Sequence, residues 1–293
     1  MIKIINTLKA VNFCFNNGKF ELSLWTNYIN SVLKDSANIF LDEVENDEKT
    51  GLYSFAEKCL PVINEVVKDN NRLEEVSNTF TKITENLNQQ LKEEFGKSID
   101  VEIVLYLGLC NGAGWATYIN DQKVVLLGVE KIIELKWFLE SKFKALIYHE
   151  LGHIYHDTYG ILTSLTTTNK EKYIWQLFIE GVAMVFEQKL IKNSNYYHQF
   201  TNKELKWLEE NIKMIVSDFV NDLESISQKK QRWFGDWVKY YEISDVGYFL
   251  GAKFIHYLLE DYSFDEIILF DLNGVLKLFA IFSSKFNSSL DNS

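Results

Sequence analysis

Apolar residues recur at three- and four-residue intervals through most of this chain, and in one stretch only does the pattern change to a strand period. Residues 1 to about 20 open on a strand or an irregular segment. Helical patterns follow near 22–35, 51–69 and 72–95, the last closing at Gly96. A β-branched and apolar run then covers Val101 to Leu107, Trp115 to Ile119 alternates, and Lys123 to Val129 is apolar again. Asn120-Asp121-Gln122 reads as the hairpin turn joining the last two. From Glu134 onward helix dominates, over about 137–158, 171–191, 202–226, 230–242, 244–260 and 264–282. This is an α+β order, with a small sheet expected to be antiparallel and a mainly helical C-terminal half. The expected division is a mostly helical region, 1–98, and a second domain, 99–293.

Composition narrows the picture without naming a chemistry. One proline and 14 glycines suit long helices, and 293 residues allow one large domain or two modest ones. A net charge of −11 with no basic face argues against nucleic acid as a partner. Cys14, Cys59 and Cys110 are odd in number and lack C-x-x-C spacing, so they read as reduced thiols in a cytoplasmic protein. The first residues lack the apolar core and cleavage site of a signal peptide. No membrane span is expected either: the longest apolar stretch, Ile267 to Phe282, is broken by Asp271, Asn273 and Lys277. Oligomeric state is not readable.

His149-Glu150-Leu151-Gly152-His153 is where chemistry enters. Residues four apart share a helix face, so both imidazoles can address one ion, and Glu150 is set to reach water beside it. With 5 His and 41 Asp+Glu in the chain, random order gives on the order of 0.01 such matches. Phe143, Ile147, Leu151 and Ile154 form an apolar line that anchors the helix, while small Ala145 and Gly152 leave room beside the imidazoles. The bland reading, histidines decorating a solvated face, would favour Lys and Glu at those positions.

A catalytic zinc takes three protein ligands and keeps one position open. His156 is the nearest candidate, but it stands about 10 Å along the axis from His149. It reads better as a residue beside the site. Glu180 is the stronger candidate, because Trp175 to Phe186 is apolar nearly all round and an unpaired carboxylate buried there costs several kcal/mol. A cation removes that cost; a lysine or backbone N–H groups are the alternative. Gly181 and Ala183 let a neighbouring helix approach. The glycine-rich Gly108 to Gly114 lacks the Lys-Ser or Lys-Thr of a phosphate loop. It is either a plain strand connection or a place where substrate backbone pairs with an edge strand.

His149-Glu150-Leu151-Gly152-His153, Glu180-Gly181-Val182-Ala183 and Gly247-Tyr248-Phe249-Leu250-Gly251 together resemble a bacterial family of predicted zinc-dependent proteases of the gluzincin type. The resemblance covers roughly residues 100–260. It implies a zincin-like fold for 99–293, one zinc ion per chain held by His149, His153 and Glu180, and Glu150 as general base. Tyr248 becomes a candidate donor to the oxyanion of the tetrahedral intermediate; a core tyrosine with a satisfied hydroxyl is the alternative, although Gly251 and Ala252 leave a shallow pocket beside the phenol. Met184 stands where thermolysin-like enzymes carry an Asp that orients a histidine, leaving Asp157, Glu187 or a carbonyl for that role. The expected activity is hydrolysis of a peptide or protein substrate. The rival readings are an inactive zinc-containing binding or regulatory protein and a metal-free helical protein; retention of Glu150 speaks against the first.

Overall fold

A computed structural model describes residues 1–34, 36–51 and 54–287. Asp35, Leu52 and Tyr53, at the ends of two of the predicted helices, lie outside the described residues. The chain is α+β and divides into two compact units, Met1–Glu150 and Leu151–Ser293. Among the described residues no helix is long and apolar enough to cross a membrane.

The first unit begins with β1 (Ile2–Asn6) and a two-stranded ribbon, β2 (Phe15–Asn16) and β3 (Lys19–Phe20). Five helices follow: α1 (Leu22–Leu33), α2 (Ala37–Thr50), α3 (Leu60–Val66), α4 (Asn70–Thr84) and α5 (Leu87–Phe95). Then come β4 (Val101–Tyr106), β5 (Gly114–Ile119), β6 (Gln122–Gly128), α6 (Val129–Glu134) and α7 (Glu140–Tyr159), the last of which runs on past Glu150. Helix α2 is one element the pattern did not foresee, and α6, starting at Val129 where the reading ended a strand, is another. The apolar stripe of α2 is thin, with Ala37 and Phe40 buried but Ile39 exposed, and acidic residues crowd its second half.

The four-stranded sheet has the order β1-β4-β6-β5 and is mixed, not antiparallel as expected. β1 runs parallel to β4, with Ile2 opposite Val101, and β4 runs parallel to β6, with Ile103 opposite Val125. Only β5 and β6 are antiparallel. Chain geometry explains this. Five helices carry the chain from β1 back to the starting end of β4, as a parallel pair requires. The β5–β6 hairpin then turns so that β6, not β5, lies beside β4. Its turn is Asn120-Asp121, both at positive φ (49° and 62°), matching the preference of short hairpins for such residues. Ile103 to Leu105 and Val124 to Leu127 are buried whichever way they point, as befits inner strands. β5 forms an edge: it is half-buried along most of its length, with Trp115 packed edge-on against Phe40 at 6.0 Å.

The second unit contains the rest of α7, then α8 (Asn169–Ile191), α9 (Asn202–Glu210), α10 (Ile212–Asp222), α11 (Val246–Leu258), α12 (Phe264–Ile267) and α13 (Leu272–Asn287). A capping box starts α8, with Thr168 and Glu171 each accepting from the other's backbone N–H. The helix predicted over 202–226 breaks at Asn211, whose side chain bonds to the Trp207 carbonyl. The one predicted over 264–282 restarts at Asp271, whose carboxylate takes the Gly274 N–H at 2.8 Å. Residues 230–242 are not helical. There Gln231 Oε1 accepts from the N–H groups of Trp233 and Phe234, Asp222 holds both Arg232 and the Trp233 indole, and Gly235 sits at φ +110°. Side chains capture the groups a helix needs.

Candidate metal centre

Helix α7 owes its place to burial: Phe143, Ala145, Ile147, Leu151, Ile154 and Tyr155 are all within the core. His149 and Glu150 are buried too, at 4% and 6% exposure, so these polar groups need partners in the protein. Gly152, between the two histidines, does not make room for imidazoles as expected. A Cβ there would stand 2.9 Å from Ala183 Cα and 3.1 Å from Phe186 Cβ, so the missing side chain lets α8 lie directly on α7.

Glu180 is three residues before Ala183 and shares its helix face. Close approach at Gly152 therefore delivers the carboxylate: Glu180 Oε2 is 3.3 Å from His153 Nε2, with both side chains about one-eighth exposed (14% and 13%). On its other flank α8 meets α11 backbone to backbone. A Cβ on Gly181 would lie 2.3 Å from the Gly251 carbonyl oxygen. The expected approach of neighbouring helices at Gly181 and Ala183 is thus found at both residues.

The ligand atoms of His149, His153 and Glu180 all lie within 4.8 Å of one another. Two imidazoles and a carboxylate form the donor set of a catalytic zinc site. Three such donors at about 2.0–2.1 Å from one tetrahedral ion are separated by roughly 3.4 Å. The 3.3 Å between His153 and Glu180 matches that spacing. The residues fit the ion.

Glu150 faces a different element. A Cβ on Gly114, the first residue of β5, would stand 2.5 Å from Glu150 Oε1 and 2.8 Å from its Cγ. The general-base candidate therefore lies against the start of the sheet edge, and glycine is what allows it. The sequence marked the glycine-rich segment but not this contact.

Of the other candidates, His156 and Glu187 fall outside this three-donor cluster. His156 is fully buried, donates from Nε2 to the Ile268 carbonyl at 3.2 Å and sets its ring edge-on to Phe178. Burial, followed by nearby His153, pushes its pKa down to about 3, so it is a neutral core imidazole outside the three-donor cluster. Glu187 is buried against His198 Nδ1, at 3.0 and 3.1 Å. Tyr248 lies on α11 one turn before Gly251, with its ring edge-on to Phe234 at 6.0 Å. Gly251 does not itself open the expected shallow pocket: a Cβ on that glycine would be 2.5 Å from the Leu177 carbonyl oxygen, so α8 occupies that position.

Searches with this chain return no matching family model, no matching curated protein and no matching solved structure.

Proposed function

We propose that this chain is a zinc-dependent peptidase of the gluzincin type with a zincin-like fold, cytoplasmic, holding one zinc ion and acting on peptide or protein substrates. The observation that carries the reading is the convergence of His149, His153 and Glu180, with Glu150 one residue away and turned to the edge strand. His149, His153 and Glu180 are the residues that would hold the ion. Bound there, zinc supplies a Lewis acid that brings the pKa of water to about 7 and polarises a carbonyl.

The protein's own groups do the rest. A peptide backbone adds antiparallel or parallel to the free side of β5, which lays its carbonyl beside Glu150. Glu150 takes a proton from water on a carboxylate oxygen and returns it to the leaving amine nitrogen. Tyr248 is the proposed donor to the oxyanion.

Replacing Glu150 with Gln keeps the shape and removes the base. The variant should bind zinc like the parent and lose nearly all turnover, by about a thousandfold or more, on a panel of blocked and unblocked peptides. Undiminished hydrolysis would remove the assigned base. Zinc binding with no hydrolysis by the parent would favour a binding or regulatory role instead.

A further inference from the structure

The turn that leads from β4 into the edge strand is built around one buried carboxylate. Glu130, on the first turn of α6, is 1% exposed. Its Oε2 accepts the Gly108 N–H at 2.8 Å and its Oε1 accepts the Cys110 N–H at 3.0 Å. Two glycines are shaped to it: a Cβ on Gly108 would meet Glu130 Oε1 at 2.5 Å, and one on Gly128 would meet it at 2.9 Å. The Gly128 N–H donates to the Ala113 carbonyl at 3.1 Å, tying the far end of the turn to the same point. The near end is held by α1, whose Trp25 indole donates to the Leu107 carbonyl at 2.8 Å. Asn111, mid-turn, donates to Glu43 on α2.

Burying a carboxylate costs several kcal/mol, so a plain connection between strands has no reason to carry one. Burial pushes the Glu130 carboxyl up to about 7; the N–H groups of Gly108, Glu130 itself and Cys110, and then Lys131, pull the other way. Tyr106 on β4 and Tyr28 on α1 also face this charge. What the ionised form offers, and a neutral side chain of this size does not, is two acceptor oxygens for two diverging backbone donors.

We infer that Glu130 is a positioning residue: by holding Gly108 and Cys110 it sets where β5 begins, and so keeps Gly114 against Glu150 and the edge in place for a peptide backbone. The use made of that edge rests on the peptidase reading above; the positioning itself does not. A Gln at 130 turns an amide donor towards one of the two N–H groups. An Asp keeps the charge but is one carbon too short to span both.

The test uses the full chain with Glu130→Gln and Glu130→Asp, and reads amide hydrogen exchange with and without zinc. In the parent, the Gly108 and Cys110 amides should be protected by their bonds to Glu130. In the variants, exchange across 108–116 should rise by about tenfold while 122–127 of β6 stays unchanged. The second readout is binding to the zinc-loaded protein of two hydroxamates. A peptidyl hydroxamate, long enough to lie along β5, should weaken by about tenfold in the variants, and acetohydroxamate should not. Unchanged exchange at 108–116, exchange rising equally through β4 and β6, or parallel weakening of both hydroxamates would each overturn the inference. If the parent binds neither hydroxamate, the peptidase reading falls, and the exchange data alone decide whether Glu130 sets the strand.

Discussion

Gly152→Ala tests whether helix contact is what assembles the site. The substitution adds one methyl group to a helix interior, where Ala is favoured over Gly by about 0.8–1 kcal/mol. Here that methyl would sit 2.9 Å from Ala183 Cα, 3.1 Å from Phe186 Cβ and 3.2 Å from the Ala183 carbonyl oxygen. Two of these are backbone atoms, which cannot swing away. Relief to an ordinary carbon contact requires α8 to retreat by about half an ångström, and overpacking of this kind costs about 1–3 kcal/mol. The metal-free protein should therefore change by about 0–2 kcal/mol towards lower stability. Zinc binding is affected more. Donor positions tolerate about 0.2 Å, and Ala183 is less than one turn from Glu180, so zinc affinity should fall at least about tenfold. Thermal melts in EDTA give the first quantity, and competition with a chromophoric chelator gives the second. A variant that gains about 1 kcal/mol without metal and binds zinc as tightly as the parent would refute the reasoning, because the methyl would then fit.

At Gly114, Ala puts its methyl 2.5 Å from Glu150 Oε1 and 2.8 Å from its Cγ, so the Glu150 side chain must swing aside as a whole while the helix backbone stays put. Stability and zinc content should therefore change little, while hydrolysis drops by about tenfold to a hundredfold; steady-state kinetics beside metal analysis would show it, and full activity would contradict it. His156 predicts an acid dependence of stability. Its folded pKa, about 3, lies below the ordinary 6.5, so its neutral form stabilises fully above 6.5 and that contribution is lost as pH falls towards 3. Glu130, raised from 4.5 to about 7, works the other way, stability from it rising as pH falls through 7 towards 4.5. His156→Gln can still donate to the Ile268 carbonyl and leaves Glu130 untouched. Urea unfolding in EDTA at pH 7.5, 6 and 5 should therefore show a shallower fall in stability for the variant than for the parent, by a few kcal/mol at most. Equal slopes would mean His156 is not the group that resists charging.

The features legible in the chain are those that rest on local spacing. His149 and His153 had to share a helix face once the helix existed, and Glu180 stood out because its neighbours are apolar. The Asn120-Asp121 turn announced itself by residue type. What escaped depends on partners far off in sequence. The parallel pairing of Ile2 with Val101 has no local signature, and a hairpin in view made an antiparallel sheet the natural expectation. Residues 230–242 carry helix-compatible residues, yet the Gln231 side chain captures the backbone N–H groups of Trp233 and Phe234. Gly152 and Gly114 were visible as small residues, but which neighbour each admits, α8 for one and Glu150 for the other, is settled only by packing. Glu130 gave no sign at all, since a single carboxylate after a strand is common and its burial is a tertiary fact.

The central claim is coordination, and zinc-edge X-ray absorption on gently purified protein, with total metal measured on the same sample, tests it most directly. The account predicts one zinc per chain, bound by nitrogen and oxygen donors with two imidazoles in the spectrum, and an altered spectrum in Glu180→Ala. Absence of bound zinc, sulfur ligation, or a spectrum indifferent to Glu180 would contradict it.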